Sequence, residues 1–348
     1  MNKLKIRDKI ASIPIIQGGM GVGVSLSGLA GAVAHEGGVG IISTAQIGYY
    51  RDDFNVNPSQ SNLLAIKEQI TKAKEIAAGN GIVGVNVMHA LKDYAKHVCA
   101  AAEAGADLVI CGAGIPLDLP ELVNKYNIAI APIVSSLRCV RIIVQKWLRS
   151  YKRLPDMIVI EGPQAGGHLG FTAEQAVDYP DFDEEIKAII DYTKQVELEN
   201  NVDIPVIVAG GIYDKSDIEH ALSLGASGVQ MASRFVCTKE CDASDEYKKA
   251  YMNAKAEDIS IIKSPVGMPG RALINNFTKF IKDKTYPVQR CRGCLKKCDP
   301  SKIAFCITDA LIRAVKGDTE NGLVFCGGNV GKIEKIVSVH DLMKELTS

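Results

Sequence analysis

Residues 157–170 read Met157-Ile158-Val159-Ile160-Glu161-Gly162-Pro163-Gln164-Ala165-Gly166-Gly167-His168-Leu169-Gly170. A short apolar run rich in β-branched residues stops abruptly at glycines and one histidine. The run is too short for an independent helix and reads as a fully buried strand. The glycines remove Cβ atoms where a backbone must turn sharply or approach a ligand. His168 then stands at the carboxyl end of a strand, where open and closed parallel sheets build their sites. An imidazole there can hold or move a proton near neutral pH. Taken alone, Gly-Gly-His is as readily an ordinary turn, so the flanking units have to decide.

Working outward, apolar strands alternate with helices on both sides. Upstream, strands are expected at Ile13–Gln17, Val39–Ile42, Ile82–Val87, Leu108–Cys111 and Ile128–Ile133. The helices between them span 26–35, 61–78, 94–104, 119–126 and 137–151. Downstream, Phe171 to Asp183 reads as a polar loop over the site, followed by a helix over 184–199. Two more strands follow, Pro205–Gly211 and Gly228–Ser233, separated by a helix that Asp214 caps. Regular strand–helix alternation of this length favours a closed (β/α)₈ TIM barrel over a doubly wound sheet. The glycines at 18–23 tempt a dinucleotide reading. Their spacing is not G-x-G-x-x-G, however, and no acidic residue closes the second strand to hold a ribose.

The last two strands end in Ala209-Gly210-Gly211 and Gln230-Met231-Ala232-Ser233-Arg234. Backbone amides and a small hydroxyl at these positions fit the phosphate site that barrels build after strands seven and eight. Tight packing of helix on strand would use the same small residues. The alternation breaks after Cys237. Helices are expected at 245–254 and 272–282, joined by the turn-rich connector Ser264–Arg271, and together they read as a helical cap over the barrel mouth. The domains are thus a barrel formed by 1–237 and 319–348 and a cap over 238–318.

Inside the cap runs Cys291-x2-Cys294-x3-Cys298-x7-Cys306. Asp299-Pro300 resembles an N-cap and first helical residue, which puts Cys306 about two turns into a helix. Soft thiolates in this pattern would suit zinc or an iron–sulfur cluster, and buried free or redox-labile thiols are the plainer alternative. The spacing is neither a common ferredoxin pattern nor a pair of tidy CxxC knuckles.

The chain has 348 residues, 40 basic and 40 acidic, and so no net charge to draw it to nucleic acid or an anionic membrane. The amino terminus carries charges where a signal peptide needs an apolar core, and no apolar run approaches the roughly 18 residues of a membrane span. Ten cysteines without such a signal point to a reducing, cytoplasmic setting.

Pro14-Ile15-Ile16-Gln17-Gly18-Gly19-Met20, Gly84-Val85-Asn86-Val87-Met88, Glu161–His168, Pro205–Gly211, Gly228–Phe235 and, more faintly, Gly327-Gly328-Asn329 together resemble the nitronate monooxygenase family, formerly 2-nitropropane dioxygenases. They are equally similar to its sister group, the FMN-dependent enoyl-acyl-carrier-protein reductases. The resemblance implies FMN on the barrel, with Gln17, Gly18, Gly19, Met20 and Asn86 at the flavin ring. It implies Glu161, Gly166 and Gly167 along the ring and ribityl side. Ala209, Gly210, Gly211, Gln230, Met231 and Ser233 would hold the phosphate, and His168 is the active-site histidine. The small molecule implied is an alkyl nitronate oxidised with O₂. An enoyl thioester or quinone reduced by NAD(P)H is the alternative, and a redox-sensing flavoprotein reporting through Cys291–Cys306 is a third reading. A homodimer is the assembly considered. The cysteine-bearing cap lies outside the family pattern, where an added cluster would serve electron transfer.

Overall fold

Side chains on a strand point alternately to its two faces, and the protein uses this alternation to build two cores at once. In β4 (Val39–Ser43), Val39 and Ile41 enter one apolar cluster and Ile42 a second. In β8 (Ile158–Glu161), Val159 joins the first cluster and Ile158 and Ile160 the second. The first cluster fills the inside of a barrel, and the second lies between barrel and helices. Each fully buried aliphatic side chain contributes about 1.5–3 kcal/mol, which favours closure over an open sheet.

In the computed structural model, residues 1–179 and 181–348 are described. The remaining barrel strands are β3 (Ile15–Gln17), β5 (Ile82–Met88), β6 (Leu108–Gly112), β7 (Ala129–Val134), β10 (Val206–Ala209) and β11 (Gly228–Met231). Among the described residues, the ladder runs β3, β4, β5, β6, β7, β8, β10, β11 and back to β3, every pair parallel. This is the expected TIM barrel. A short hairpin, β1 (Leu4–Ile6) with β2 (Lys9–Ala11), puts Leu4, Ile6 and Ala11 into the interior cluster.

Outside stand α1 (Ser27–His35), α2 (Pro58–Ala77), α3 (Tyr94–Glu103), α4 (Leu119–Leu122), α5 (Leu137–Tyr151), α7 (Phe182–Asn200) and α8 (Lys215–Ser223). Helix α5 shows why they form. Ser136 accepts the Cys139 N–H at its start, and Val140, Ile143, Val144 and Trp147 recur along one buried face. Asp214 caps α8 through the N–H groups of Ser216 and Asp217. Helix α1 lies so close to the barrel that a Cβ on Gly40 would sit 1.8 Å from the Ala30 carbonyl oxygen. Helix α4 ends at Leu122, short of Tyr126, where Val123 instead accepts a turn bond from the Tyr126 N–H. The segment read as a loop after β8 contains α6 (Ala173–Val177), which Thr172 and Gln175 start as a capping box. Pro180, within that expected loop, lies outside the described residues.

The cap differs from a purely helical one. Strand β12 (Ile259–Lys263) pairs antiparallel with β13 (Pro269–Leu273), and β13 pairs in turn with β9 (Gly167–His168). Only 264–268 turn, and the expected helix over 272–282 shrinks to α11 (Asn276–Asp283), capped by Asn275. Pro265, Gly267, Pro269 and Gly270 disguise the hairpin locally. Pro269 is tolerated because it opens its strand. Helix α12 (Ile307–Val315) starts after Cys306, which is its N-cap residue rather than two turns inside it. Asp299 instead closes a local turn, accepting from the Ser301 N–H and hydroxyl, and Phe305 turns inward against Phe277. Helices α9 (Ser233–Val236), α10 (Asp245–Asn253) and α13 (Val339–Thr347) complete the chain.

Candidate active site

A cavity of about 420 Å³ opens at the carboxyl ends of the barrel strands, within the range of cofactor and substrate sites. Among the residues expected to act, Gly18, Gly19, Met20, Asn86, Glu161, Gly166, Gly167, His168, Ala209, Gly210, Gly211, Gln230, Met231 and Ser233 all line it. Gln17 does not. Its side chain is fully buried and bridges β3 to β4, accepting the Ile41 N–H at 3.1 Å and donating to the Ile41 carbonyl at 3.2 Å.

Half of the wall is bare backbone. Gly210 and Gly211 have φ of 91° and 86°, a left-handed conformation that favours glycine. A Cβ on Gly210 would lie 2.8 Å from the Gly162 carbonyl oxygen and 3.0 Å from the Ala165 nitrogen. On Gly19 it would lie 2.4 Å from Asn86 Cβ. Next to Gly18, the Gln230 Oε1 is buried without a partner. The loop 326–329 covers this side: Gly327 N–H donates to Ser233 Oγ at 3.0 Å, and Asn329 Nδ2 donates to the Gly211 carbonyl at 2.6 Å.

The other side is side chains: His168 from the loop after β8, Ser264 and Tyr251 from the cap, and Phe325 from the segment that returns after it. His168 Nε2 is 2.8 Å from Ser264 Oγ, and the same hydroxyl accepts the Val266 N–H at 3.3 Å. Phe325 meets the imidazole edge-on, with ring centres 5.0 Å apart. Tyr251 donates its hydroxyl to the Phe325 carbonyl. Burial pushes His168 down to about 4, so the ring is neutral at pH 7. Burial also pushes Glu161 up to about 8, so its carboxyl keeps its proton there. Arg271 on β13 is 4% exposed and donates to the Pro163, Ala165 and Ala176 carbonyls at 2.6, 2.7 and 2.5 Å. It thereby fixes the loop that carries Gly166 and Gly167.

Sequence reasoning missed Ser264, Arg271, Tyr251 and Phe325. Ser264 and Arg271 arrive with the β12–β13 hairpin that pairs with β9, Phe325 through an antiparallel bridge to Ala272, and Tyr251 from the helix over 245–253, contacts that no local spacing reveals. Among the described residues, no three His, Cys, Asp or Glu side chains converge where a single metal ion could sit. Cys291, Cys294, Cys298 and Cys306 thus do not close on one ion in this structure, as thiolates about 2.3 Å from a tetrahedral zinc would.

A TIM barrel whose carboxyl-end cavity sets a glycine cradle against one half-buried imidazole has the architecture of a flavin-dependent oxidoreductase. The chain belongs to the nitronate monooxygenase family, whose model matches residues 3–348. It is similar to a probable nitronate monooxygenase of Staphylococcus aureus strain Newman, 25% identical over 79% of this chain and 81% of that one. It is also 26% identical to a (3aS,4S,5R,7aS)-5-hydroxy-7a-methyl-1-oxo-octahydro-1H-indene-4-carboxyl-CoA dehydrogenase of Rhodococcus jostii strain RHA1, over 75% of this chain; the match spans 62% of that relative's length. Among solved structures, FabK from Thermotoga maritima superposes with a TM-score of 0.72 at 25% identity, covering 96% of this chain and 91% of FabK. No helix among the described residues is long and apolar enough to cross a membrane.

Proposed function

We propose that the cavity holds FMN and that the protein oxidises alkyl nitronates with O₂. The cradle suits that cofactor: a Cβ at Gly19 or Gly210 would strike Asn86 or the Gly162 carbonyl, so only bare backbone can form this wall, and Gln230 Oε1 is a buried acceptor awaiting an N–H donor. Gly18, Gly19, Met20 and Asn86 would hold the ring side, and Gly166 and Gly167 would flank it. Ala209, Gly210, Gly211, Met231 and Ser233 would hold the phosphate. Bound there, FMN supplies the acceptor for the substrate's electrons.

The observation that carries the reading is the place of His168 in the cavity wall, its Nε2 2.8 Å from Ser264 Oγ. Burial lowers the imidazole to about 4, which keeps it neutral at pH 7. A general base works best with a pKa near the working pH, so this imidazole is poorly matched to removing the α-proton of a neutral nitroalkane. It is well matched to an already ionised nitronate, to which a neutral ring N–H can donate. Where the Ser264 hydroxyl donates to Nε2, the ring hydrogen is on Nδ1 and available to the nitro oxygens. Glu161, kept protonated, adds no negative charge to repel the anion.

The relation to a carboxyl-CoA dehydrogenase favours one second reading, reduction of an enoyl thioester at the expense of NAD(P)H. The two separate in one experiment. Purified protein is mixed without oxygen with ethyl nitronate or with NADH, and the visible flavin band is followed. Bleaching by the nitronate alone is the expected result. Bleaching by NADH alone, with reoxidation by crotonyl thioester, would establish the second reading instead.

A further inference from the structure

Residues 284–304 form neither helix nor strand, and none of these 21 side chains is buried. Of its side chains, Tyr286, Cys294, Leu295 and Ala304 pack, partly buried, against the cap's apolar cluster. Cys291, Cys294 and Cys298 fall inside it, with Cys306 just beyond, whereas the other six cysteines are scattered through the barrel and its flanks. The stretch carries six basic residues and one acidic one in a chain of zero net charge. That composition suits an anionic occupant.

The backbone arranges the thiols. The Lys92 N–H donates to the Cys294 carbonyl at 3.0 Å, and the Lys296 N–H donates to the Ala90 carbonyl at 3.0 Å, stitching the loop to the chain that follows β5. Gly293, at φ 60°, turns its N–H back onto Cys291 Sγ at 3.3 Å. Cys306 is the N-cap residue of α12. The Arg292 guanidinium pairs with Asp309, three residues past Cys306, and so ties the loop carrying Cys291 and Cys294 to the start of α12. Among the described residues, the four side chains do not close on a single point.

We propose that Cys291, Cys294, Cys298 and Cys306 hold a [4Fe–4S] cluster at the rim of the cavity. In such a cluster each thiolate takes its own iron, so the sulfurs stand at separate corners instead of closing on a single ion. N–H···S bonds and basic surroundings are the usual means of holding this anionic group. The site reaches the cavity along two routes. Leu311, which lines the cavity, lies five residues along α12 from Cys306, about 7.5 Å of helix. Met88, also in the cavity wall, lies two residues before the stitched Ala90. Resting on the flavin reading above, the cluster gives the cofactor a one-electron port. The cluster would take one electron from a flavin reduced by the nitronate and give it back, so the exchange balances within the protein with no bond made or broken.

The test is to isolate the full chain without oxygen and to measure iron, acid-labile sulfide, zinc and flavin separately. About four irons and four sulfides per chain are expected, with a paramagnetic signal after dithionite reduction. Cys298→Ser and Cys306→Ser should each lose most of the iron and sulfide while keeping the wild-type flavin content, which also reports that they fold. Wild-type protein that carries flavin but no iron after anaerobic reconstitution with ferrous iron and sulfide would overturn the proposal. So would stoichiometric zinc, or iron undiminished when all four cysteines are replaced. Iron and sulfide present without flavin would support this site and overturn the FMN reading.

Discussion

The two walls of the cavity are made in opposite ways. The barrel wall is backbone, with left-handed glycines at 210 and 211 and close approaches at Gly18 and Gly19. The cap wall is side chain, with His168, Ser264 and Phe325 in contact and Arg271 behind them. The barrel wall can only be filled, so substitutions there should abolish binding. The cap wall can be trimmed, so substitutions there should grade the rate. If cofactor and substrate divide between the walls in this way, variants will separate flavin content from turnover.

The largest effect is expected at Gly210→Val, where the added atoms meet the Gly162 carbonyl and the backbone must leave φ 91°. The variant should purify colourless and take up FMN at least about 100-fold more weakly, the loss that about 2.7 kcal/mol of strain would produce. A yellow, normally loaded variant would break the division between the walls. Next comes His168→Ala, expected to lower kcat/KM for a nitronate by about 10²–10³ with flavin content unchanged. A parallel loss of flavin would show that the imidazole belongs to both walls.

Arg271→Met should act on stability first. It removes three donors from buried carbonyls and costs on the order of 3 kcal/mol or more, read as a lower urea midpoint. Arg271→Lys, which keeps the charge but not the fork, should fall between. The smallest effect is on pH dependence. His168 sits near 4 against an ordinary 6.5, so its unfolded form binds the extra proton and stability falls as pH drops from about 6.5 to 4. Glu161 sits near 8 against 4.5, so its contribution is complete below 4.5 and is lost as pH rises toward 8. Urea midpoints across that range should flatten on the acid side in His168→Asn and on the alkaline side in Glu161→Gln.

The same division explains what could be read from the chain alone. Every strand of the barrel announced itself as a local apolar run, and the glycines of the cradle stood at the ends of those runs. His168 was legible for the same reason. The β12–β13 hairpin was not, because its pairing with Gly167 and His168 is non-local and its turn is masked by Pro265, Gly267 and Pro269. Asp299-Pro300 looked like a helix start, since that dipeptide serves turns equally well. Gln17 looked like a ring contact, yet its amide is consumed by the neighbouring strand.

The pairing of Gly270 with His168 and of Arg271 with Gly167 has a kinetic corollary. The imidazole rides on the cap's own sheet, so any lifting of the cap would carry its hydrogen-bonding group away from the cavity. An open protein would be a disarmed one, and chemistry would resume only when the enclosure is whole again.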